Sequence, residues 1–338
     1  WLEFMHQRLT LARDLLAQDG AIFVSIDDNE IFHLGLLMNE VFGEGAFIAN
    51  CIWQKRYSRE NRESIGDAHE YLLVYSPSPD AFKQRRNKVP LDEKQAKNYS
   101  NPDNDSRGKW TSISFTAQGF RPNQMYKITA PNGTVHQPPD GRCWARVEGE
   151  YLKLENDKKF WWGRDGNGVP RVKQFLSDVD GLVPWTWWPH DEVGHTGEAA
   201  KEMRSLLGTQ TAFSTPKPVR LIERILQIAT NPGDLVLDFF AGSGTTAHAV
   251  LKMNSAHQDA EPRRFILVSS TEATTEQPEK NLCRDVCRRR VANVIAGYGN
   301  TPGTGGSFAY LKTRRIPMTR VVRKIEHGQV WLFLQLMH

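Results

Sequence analysis

The sequence has few cysteines, no long apolar run and little net charge. Its four cysteines, Cys51, Cys143, Cys283 and Cys287, are too few and too scattered among 338 residues to form a disulfide framework. No second Cys or His pair completes a zinc site with Cys283 and Cys287, which favours a structural role for both thiols. No apolar segment is long enough to cross a bilayer and no signal-peptide pattern opens the chain, so we expect a cytoplasmic protein.

The net charge of +4 and the pI of about 8.8 are compatible with a nucleic-acid partner but do not by themselves indicate one. The distribution of the basic residues is more informative. Three runs of them stand out: Lys83, Arg85, Arg86 and Lys88; Arg288, Arg289 and Arg290; and Lys312, Arg314, Arg315, Arg320, Arg323 and Lys324. One such run is most often a solvated face, but several runs in a near-neutral chain favour a phosphate-bearing partner.

Hydrophobic residues make up 39% of the chain, which is sufficient for a packed core. A helical stripe opens the chain and a second helical pattern spans 30–42. Between them, the short apolar run 21–26 is typical of a buried parallel strand. Two further strands are predicted at 46–53 and 69–75, paired as a hairpin with a long loop at one edge of the sheet. This alternation predicts an α/β layer.

Residues 76–189 have a different composition and a different hydrophobic pattern. Helical periodicity disappears, Gly, Pro, Asn and Asp are frequent, and aromatic residues cluster. We interpret this segment as an irregular, mostly β domain inserted into the α/β domain. The α/β pattern resumes after residue 194. Its predicted elements are a helix at 198–207, a helix from about 218 that stops at 231, a strand at 234–238, a helix to about 253, a strand at 265–269 and a helix at 281–296.

The most informative segment is the turn after the strand at 234–238, which reads Asp-Phe-Phe-Ala-Gly-Ser-Gly-Thr-Thr from Asp238 onward. Glycines let a backbone approach a ligand closely because no Cβ intervenes. The crevice beyond the carboxyl end of a parallel strand is where nucleotide-like ligands bind. The spacing Gly242-x-Gly244-x-x-Ala247 also satisfies the loose dinucleotide fingerprint, so an NAD-linked oxidoreductase and a tight turn without a ligand are alternatives. Against NAD, a dinucleotide turn normally opens its domain, and this one comes late.

The full string resembles the cofactor motif of amino-methylating DNA methyltransferases. The segment 213–218, Phe-Ser-Thr-Pro-Lys-Pro, resembles the part of those enzymes that forms the other wall of the cofactor pocket. Segments 20–30 and 69–75 resemble strands of their catalytic half. The order of these segments resembles the permuted β group, and the chain is most similar to the modification subunit of type III restriction–modification systems, which methylate adenine at N6.

This resemblance implies a doubly wound, Rossmann-like α/β sheet with an inserted β-rich target-recognition domain. The domains that it implies are the catalytic half at 1–78, the target-recognition domain at 79–190, the cofactor half at 191–300, and the start of a basic extension at 301–338. It also implies S-adenosylmethionine as the cofactor and double-stranded DNA as the substrate. A homodimer and a partner restriction subunit with helicase and nuclease functions are further implications.

Carried over residue by residue, the resemblance assigns nine residues to the cofactor pocket. They are Phe213 and Lys217 on the second wall, Asp238, Phe240, Gly242 and Gly244 along the cofactor, Ser243 and Thr245 through hydroxyl or backbone contacts, and Glu272 as the acid for the ribose hydroxyls. A carboxylate can accept from both hydroxyls, although a solvated acid explains Glu272 equally well. In the inserted domain, whose aromatic core accounts for most of its tryptophans, we expect Lys83, Arg85, Arg86 and Lys88 to contact phosphate.

The sequence lacks the Asp-Pro-Pro-Tyr loop with which these enzymes hold the flipped base. Its only Pro-Pro pair, Pro138-Pro139, has neither the polar acceptor nor the aromatic residue. In the β order this loop precedes the opening helix. Because residue 1 is Trp and neither end carries a cap or breaker, we expect the loop upstream of Trp1 and no methyl transfer by residues 1–338 alone. A non-catalytic DNA-recognition module is a third alternative, and it predicts salt-dependent DNA binding without cofactor affinity.

Overall fold

A computed structural model describes most of the chain. The described residues are 1–58, 64–91, 93–208, 213 and 215–313. They fall into two compact units, unit 1 with Trp1–His195 and Glu223–Asn231, and unit 2 with Thr196–Ile222 and the chain from Pro232 onward. Both units combine helices with strands, which confirms the predicted α/β class. The basic residues predicted beyond Lys312 lie outside the described residues.

Unit 1 begins with a layer of two helices and three strands. In chain order these are α1 (Leu2–Leu15), β1 (Ile22–Ile26), α2 (Ile31–Phe42), β2 (Phe47–Gln54) and β3 (His69–Tyr75). The predicted helical stripe of α1 buries Met5, Leu9 and Ala12, whose spacing of three or four residues places them on one face. Helix α2 ends where predicted, at Gly43, whose φ of +89° stops the helix.

The inserted region contains short strands and short helices. They are α3 (Pro79–Arg85), α4 (Glu93–Ala96), β4 (Trp110–Ser114), β5 (Thr116–Gln118), β6 (Ile128–Thr129), β7 (Val135–His136), β8 (Arg142–Trp144), α5 (Glu148–Asn156), β9 (Phe160–Trp161), β10 (Arg171–Phe175), β11 (Trp187–Trp188) and α6 (His190–Val193). Strands β4 to β10 form three small antiparallel sheets. Their shared core is aromatic, with Phe115, Trp144, Tyr151 and Phe160 buried together, as expected for the inserted β-rich region.

The first sheet has the order β1-β3-β2-β11. The predicted hairpin is confirmed, since β2 and β3 pair antiparallel with Cys51 opposite Leu72. The prediction of a parallel strand at 21–26 is wrong, because β1 also pairs antiparallel with β3, with Phe23 opposite Val74. Strand β3 therefore lies inside the sheet and not at its edge. An apolar run carries no information about the direction of the neighbouring strand. The predicted burial is also only partial, because Ser25 is exposed and the other residues of β1 are half-buried.

Unit 2 carries the second α/β layer. Its elements are α7 (Thr196–Leu207), the start of α8 (Val219–Ala229, which continues into unit 1), β12 (Leu235–Asp238), α9 (Thr245–Ala256), β13 (Arg264–Leu267), α10 (Arg288–Ala296), β14 (Gly297–Tyr298) and β15 (Thr301–Pro302). Strands β12 and β13 pair in parallel and α9 connects them, which makes a β–α–β unit. The helix predicted at 281–296 is interrupted, since a π-helical turn at Cys283–Cys287 precedes α10. Within the described ranges, no helix is long and apolar enough to span a membrane.

Candidate cofactor site

The glycine-rich turn joins the end of β12 to the start of α9. Gly242 and Gly244 have φ angles of +48° and +80°, in the left-handed region that favours glycine. Space is also restricted. A Cβ on Gly242 would lie 3.1 Å from the Phe213 ring, and a Cβ on Gly244 would lie 2.9 Å from Cys287 Sγ. The backbone conformation therefore favours glycine at both positions, and at Gly244 the contact with Cys287 also leaves no room for a side chain without a shift.

Asp238 holds the two ends of the turn together. One carboxylate oxygen accepts a hydrogen bond from the Phe240 amide at 3.1 Å, and the other accepts from the Thr246 hydroxyl at 2.6 Å. Burial raises the pKa of Asp238, whereas these two hydrogen bonds lower it. Thr246 lies at the first turn of α9, so the carboxylate connects the strand end to the helix start. The role of Thr246 was not predicted, although its place in the motif was visible.

The hydroxyl groups of Ser243 and Thr245 lie inside the protein. The two residues are 3% and 6% exposed. The Arg290 Nη1 group donates to Ser243 Oγ at 3.0 Å and to Thr245 Oγ1 at 2.8 Å. Both hydroxyls are thus engaged inside the protein. Their predicted contact with a cofactor, through a hydroxyl or through the backbone, stays a prediction.

Arg290 is itself completely buried behind the turn, with no exposed surface. Its Nη2 group donates to Glu202 Oε2 at 3.0 Å and lies 3.3 Å from His248 Nδ1. Burial lowers the pKa of the Arg290 guanidinium, and the Glu202 carboxylate raises it. Burial, assisted by the charges of Arg290 and Lys252, lowers the pKa of His248 to about 3. His248 is therefore neutral at pH 7, and its Nδ1 can accept from Arg290.

The prediction that Arg290 belongs to a phosphate-binding run is wrong, because it has no access to solvent. Its neighbours Arg288 and Arg289 are exposed. Residues four apart share a helix face, and Arg290 lies four residues after Val286 and four before Val294, both of which are buried. This apolar spacing was the available signal. Glu202 and His248 gave no comparable signal, since their roles depend on contacts between distant segments.

The predicted second wall meets the turn. The Phe213 ring lies against Gly242, with its Cζ atom 3.1 Å from the position that a Cβ would take. The backbone carbonyl of Lys217 accepts from the Thr245 hydroxyl at 3.4 Å, and Phe240, within the turn, is 48% exposed. The structure thus brings the two segments that the sequence singled out to one place. The turn, with no side chain at Gly242 or Gly244 and an aromatic ring against it, suits a nucleoside-containing cofactor such as S-adenosylmethionine.

Two groups of predicted residues make other contacts. Glu272 follows β13, has a φ of +54°, and its carboxylate accepts from Lys280 at 3.3 Å. Among the predicted DNA contacts in unit 1, Arg85 pairs with Asp19 at 3.0 Å. The others are Lys83 on α3, Arg86 just after it, and Lys88, which lies 3.7 Å from Asp180. All of these roles stay predictions.

Three curated relatives match most of the chain. The StyLTI Mod subunit of a type III restriction-modification enzyme from Salmonella typhimurium is 36% identical over 321 residues, covering 92% of this chain and 47% of the relative. The EcoPI Mod subunit from Escherichia phage P1 is 32% identical, covering 80% and 45%. The type II methyltransferase M.KpnI from Klebsiella pneumoniae is also 32% identical, covering 82% and 68%. The chain spans about half the length of these two type III relatives.

Among solved structures, the PvuII cytosine-N4-specific DNA methyltransferase matches 80% of this chain and 67% of its own, with 12% identity and a TM-score of 0.40. That likeness is too loose to support an argument about the site. The profile of a family described as DNA methylase, in contrast, matches residues 1–273. The chain therefore belongs to the DNA methylase family, which confirms the sequence-based resemblance and the S-adenosylmethionine cofactor that it implies.

Proposed function

We propose that this chain supplies the S-adenosylmethionine-binding part of a site-specific DNA methyltransferase, and that the protein methylates adenine at N6 as the modification component of a restriction–modification system. The observation that carries the proposal is the turn at 238–246. Hydrogen bonds to the Asp238 carboxylate hold both ends of the turn. The turn has no side chain at its two glycines, and the Phe213 ring lies against it. The family match supports the same reaction over the NAD-linked alternative.

The residues of the turn divide the task of holding the cofactor. The turn leads into the N-terminus of α9, where amide groups are available to a ligand. Phe213 and the exposed ring of Phe240 offer apolar surfaces for a planar base. When bound, S-adenosylmethionine supplies the methyl group. We include Lys217 and Glu272 in the proposed pocket, the latter for the ribose hydroxyls.

The partners follow from the proposed reaction. Double-stranded DNA is the substrate, and Lys83, Arg85, Arg86 and Lys88 are proposed phosphate contacts. We propose association with a restriction subunit, since two of the relatives are named Mod subunits of type III restriction-modification enzymes. We also propose a homodimer, which only the sequence resemblance implies. A cytoplasmic location accords with this role.

The test is a calorimetric titration of the chain with S-adenosylmethionine, with NAD titrated in parallel. We expect saturable binding of S-adenosylmethionine, no binding of NAD, and loss of binding in Asp238→Ala. Asp259→Ala is the matched control, because Asp259 is an exposed acid in the loop after α9 and leaves the turn untouched. Binding of NAD alone overturns the proposal. Binding of neither ligand contradicts the cofactor site as described.

A second measurement addresses the catalytic loop. Residues 1–338 contain no Asp-Pro-Pro-Tyr sequence. We therefore expect them to bind S-adenosylmethionine without transferring tritiated methyl groups to DNA. Methyl transfer by these residues alone contradicts the expectation that the loop lies elsewhere in the protein.

A further inference from the structure

Two arginines in the inserted region are held by neutral acceptors in the same way. Arg142 donates from Nε to the Thr116 hydroxyl at 2.8 Å and from Nη2 to the Thr116 carbonyl at 3.0 Å. Arg171 donates from Nε to the Ser112 hydroxyl at 2.8 Å and from Nη2 to the Ser112 carbonyl at 2.7 Å. Each guanidinium is therefore fixed by both polar groups of a single residue on a neighbouring strand.

These contacts orient the two guanidinium groups without neutralising them. Throughout the part of the chain that the structure describes, no carboxylate lies within ion-pair distance of Arg142 or Arg171, and no group accepts from either Nη1. A guanidinium has five N–H donors, so each arginine keeps unused donors together with its full charge. Two other cations of the same region differ, since Arg107 pairs with Asp105 at 2.7 Å and Lys173 lies 2.9 Å from the same carboxylate.

The two arginines belong to one polar surface. Ser112 lies in β4 and Thr116 in β5, and the hydroxyl of Ser114 between them hydrogen-bonds to that of Thr116 at 2.9 Å. Four residues of extended chain span at most about 13 Å, so the two attachment points are near neighbours. The backbone of Ser112 and Ser114 is itself held in the β4–β10 ladder. Regular strand pairing thus keeps the surface rigid.

An exposed aromatic residue borders this surface. The β5–β8 pair ends at Gly119, whose amide donates to the carbonyl of Gly141 at 3.0 Å. Gly141 directly precedes Arg142. Phe120, which follows Gly119, is 72% exposed. Unpaired arginines, a row of hydroxyls and an exposed ring are the groups with which proteins contact the backbone and bases of nucleic acids.

We propose that Arg142 and Arg171 bind backbone phosphates of the DNA substrate, with the Ser112–Thr116 segment as their rigid support. The inference rests on the proposed function, since DNA is the partner. Arginine suits this role because its planar fork matches two phosphate oxygens at once. Holding Nε and Nη2 in advance reduces the side-chain freedom that is lost on binding. Residues already paired with acids, such as Arg85, must give up a partner to make the same contact.

The experiment is a DNA-binding titration of the chain at several salt concentrations between about 50 and 200 mM. Each phosphate contact contributes roughly one unit to the slope of log affinity against log salt. We expect the magnitude of this slope to decrease by about one unit in Arg142→Gln and in Arg171→Gln, and by about two units in the double variant. The preference for one DNA sequence over another should be little changed.

Arg146→Gln is the matched control. Arg146 lies in the same region, is exposed, and is already paired with Glu150 at 3.8 Å. The salt dependence of DNA binding by this variant should therefore match that of the unmodified chain. Arg142→Lys and Arg171→Lys retain the charge and should restore most of the slope while binding more weakly, which separates loss of a phosphate contact from loss of folding. Slopes that do not change in the double variant overturn the inference while leaving the proposed function intact. Failure of the unmodified chain to bind DNA at low salt overturns the inference and the proposed DNA contacts, and the cofactor titration then shows whether the cofactor part of the proposed function has failed as well.

Discussion

The cofactor turn of unit 2 and the polar surface of the inserted region both depend on arginines, in opposite environments. Arg290 has no exposed surface and meets the carboxylate of Glu202, whereas Arg171 is exposed and meets only a hydroxyl and a carbonyl. A buried charge without a counter-charge is strongly destabilising, so Arg290 is tied to its surroundings. An exposed charge keeps its hydration, and Arg171 stays available to a ligand. The partners of an arginine, more than its presence, indicate its role.

Replacing the buried arginine tests this contrast with the largest expected effect. Arg290→Met removes the guanidinium that donates to the Glu202 carboxylate and to two hydroxyls of the turn. Removal of one partner from a buried ion pair costs about 3–5 kcal/mol. We expect a loss of that order in the free energy of unfolding, measured with urea, together with weaker binding of S-adenosylmethionine.

The control is Arg289→Met, one residue earlier on the same helix and exposed. Exposed substitutions away from such contacts usually change the free energy of unfolding by less than about 0.5 kcal/mol. Similar losses in the two variants would show that Arg290 has no special role.

The packing of the turn gives a second, smaller effect. Gly244→Ala forces a left-handed residue to carry a Cβ that would lie 2.9 Å from Cys287 Sγ. Backbone strain and overpacking together should lower the free energy of unfolding by about 2–3 kcal/mol. Gly305→Ala isolates the strain, because Gly305 has a φ of +69° with nothing within 4 Å of the added carbon. Equal losses in the two alanine variants would contradict close packing against Cys287.

The pH dependence of stability sharpens the contrast further. The pKa of His248 is about 3 in the folded chain, well below its ordinary value of about 6.5, so the unfolded chain binds a proton that the folded chain does not. The contribution of neutral His248 to the free energy of unfolding is complete above pH 6.5 and is lost as the pH falls towards 3. At pH 5 the free energy of unfolding should be about 2 kcal/mol lower for this reason.

His248→Gln, compared with the unmodified chain in unfolding titrations from pH 7.5 to 5, should remove that part of the acid sensitivity. His257→Gln is the control, because His257 is an exposed histidine at the end of the same helix. If His248→Gln lost as much stability between pH 7.5 and 5 as the unmodified chain does, the result would contradict a neutral, buried imidazole beside Arg290.

Local patterns predicted the elements of both units well. The bounds of β3 and the end of α2 at Gly43 match the prediction, because an apolar run and a glycine stop are properties of neighbouring residues. The antiparallel direction of β1 was not predictable in this way, since strand pairing is decided by contacts between segments about fifty residues apart. The π-helical turn before α10 was missed because the apolar spacing of a continuous helix runs through it.

For the candidate site, the sequence by itself determined the family and the motif from Asp238 to Thr246, because a string of nine residues is specific without any knowledge of the fold. Only the tertiary structure decided what lies behind the motif. It turned the hydroxyls of Ser243 and Thr245 towards Arg290 and placed Glu202 beside that cation. The physical reason is that burial and counter-charge arise when distant segments pack together, so an arginine in a basic run has no fixed role until its neighbours in space are known.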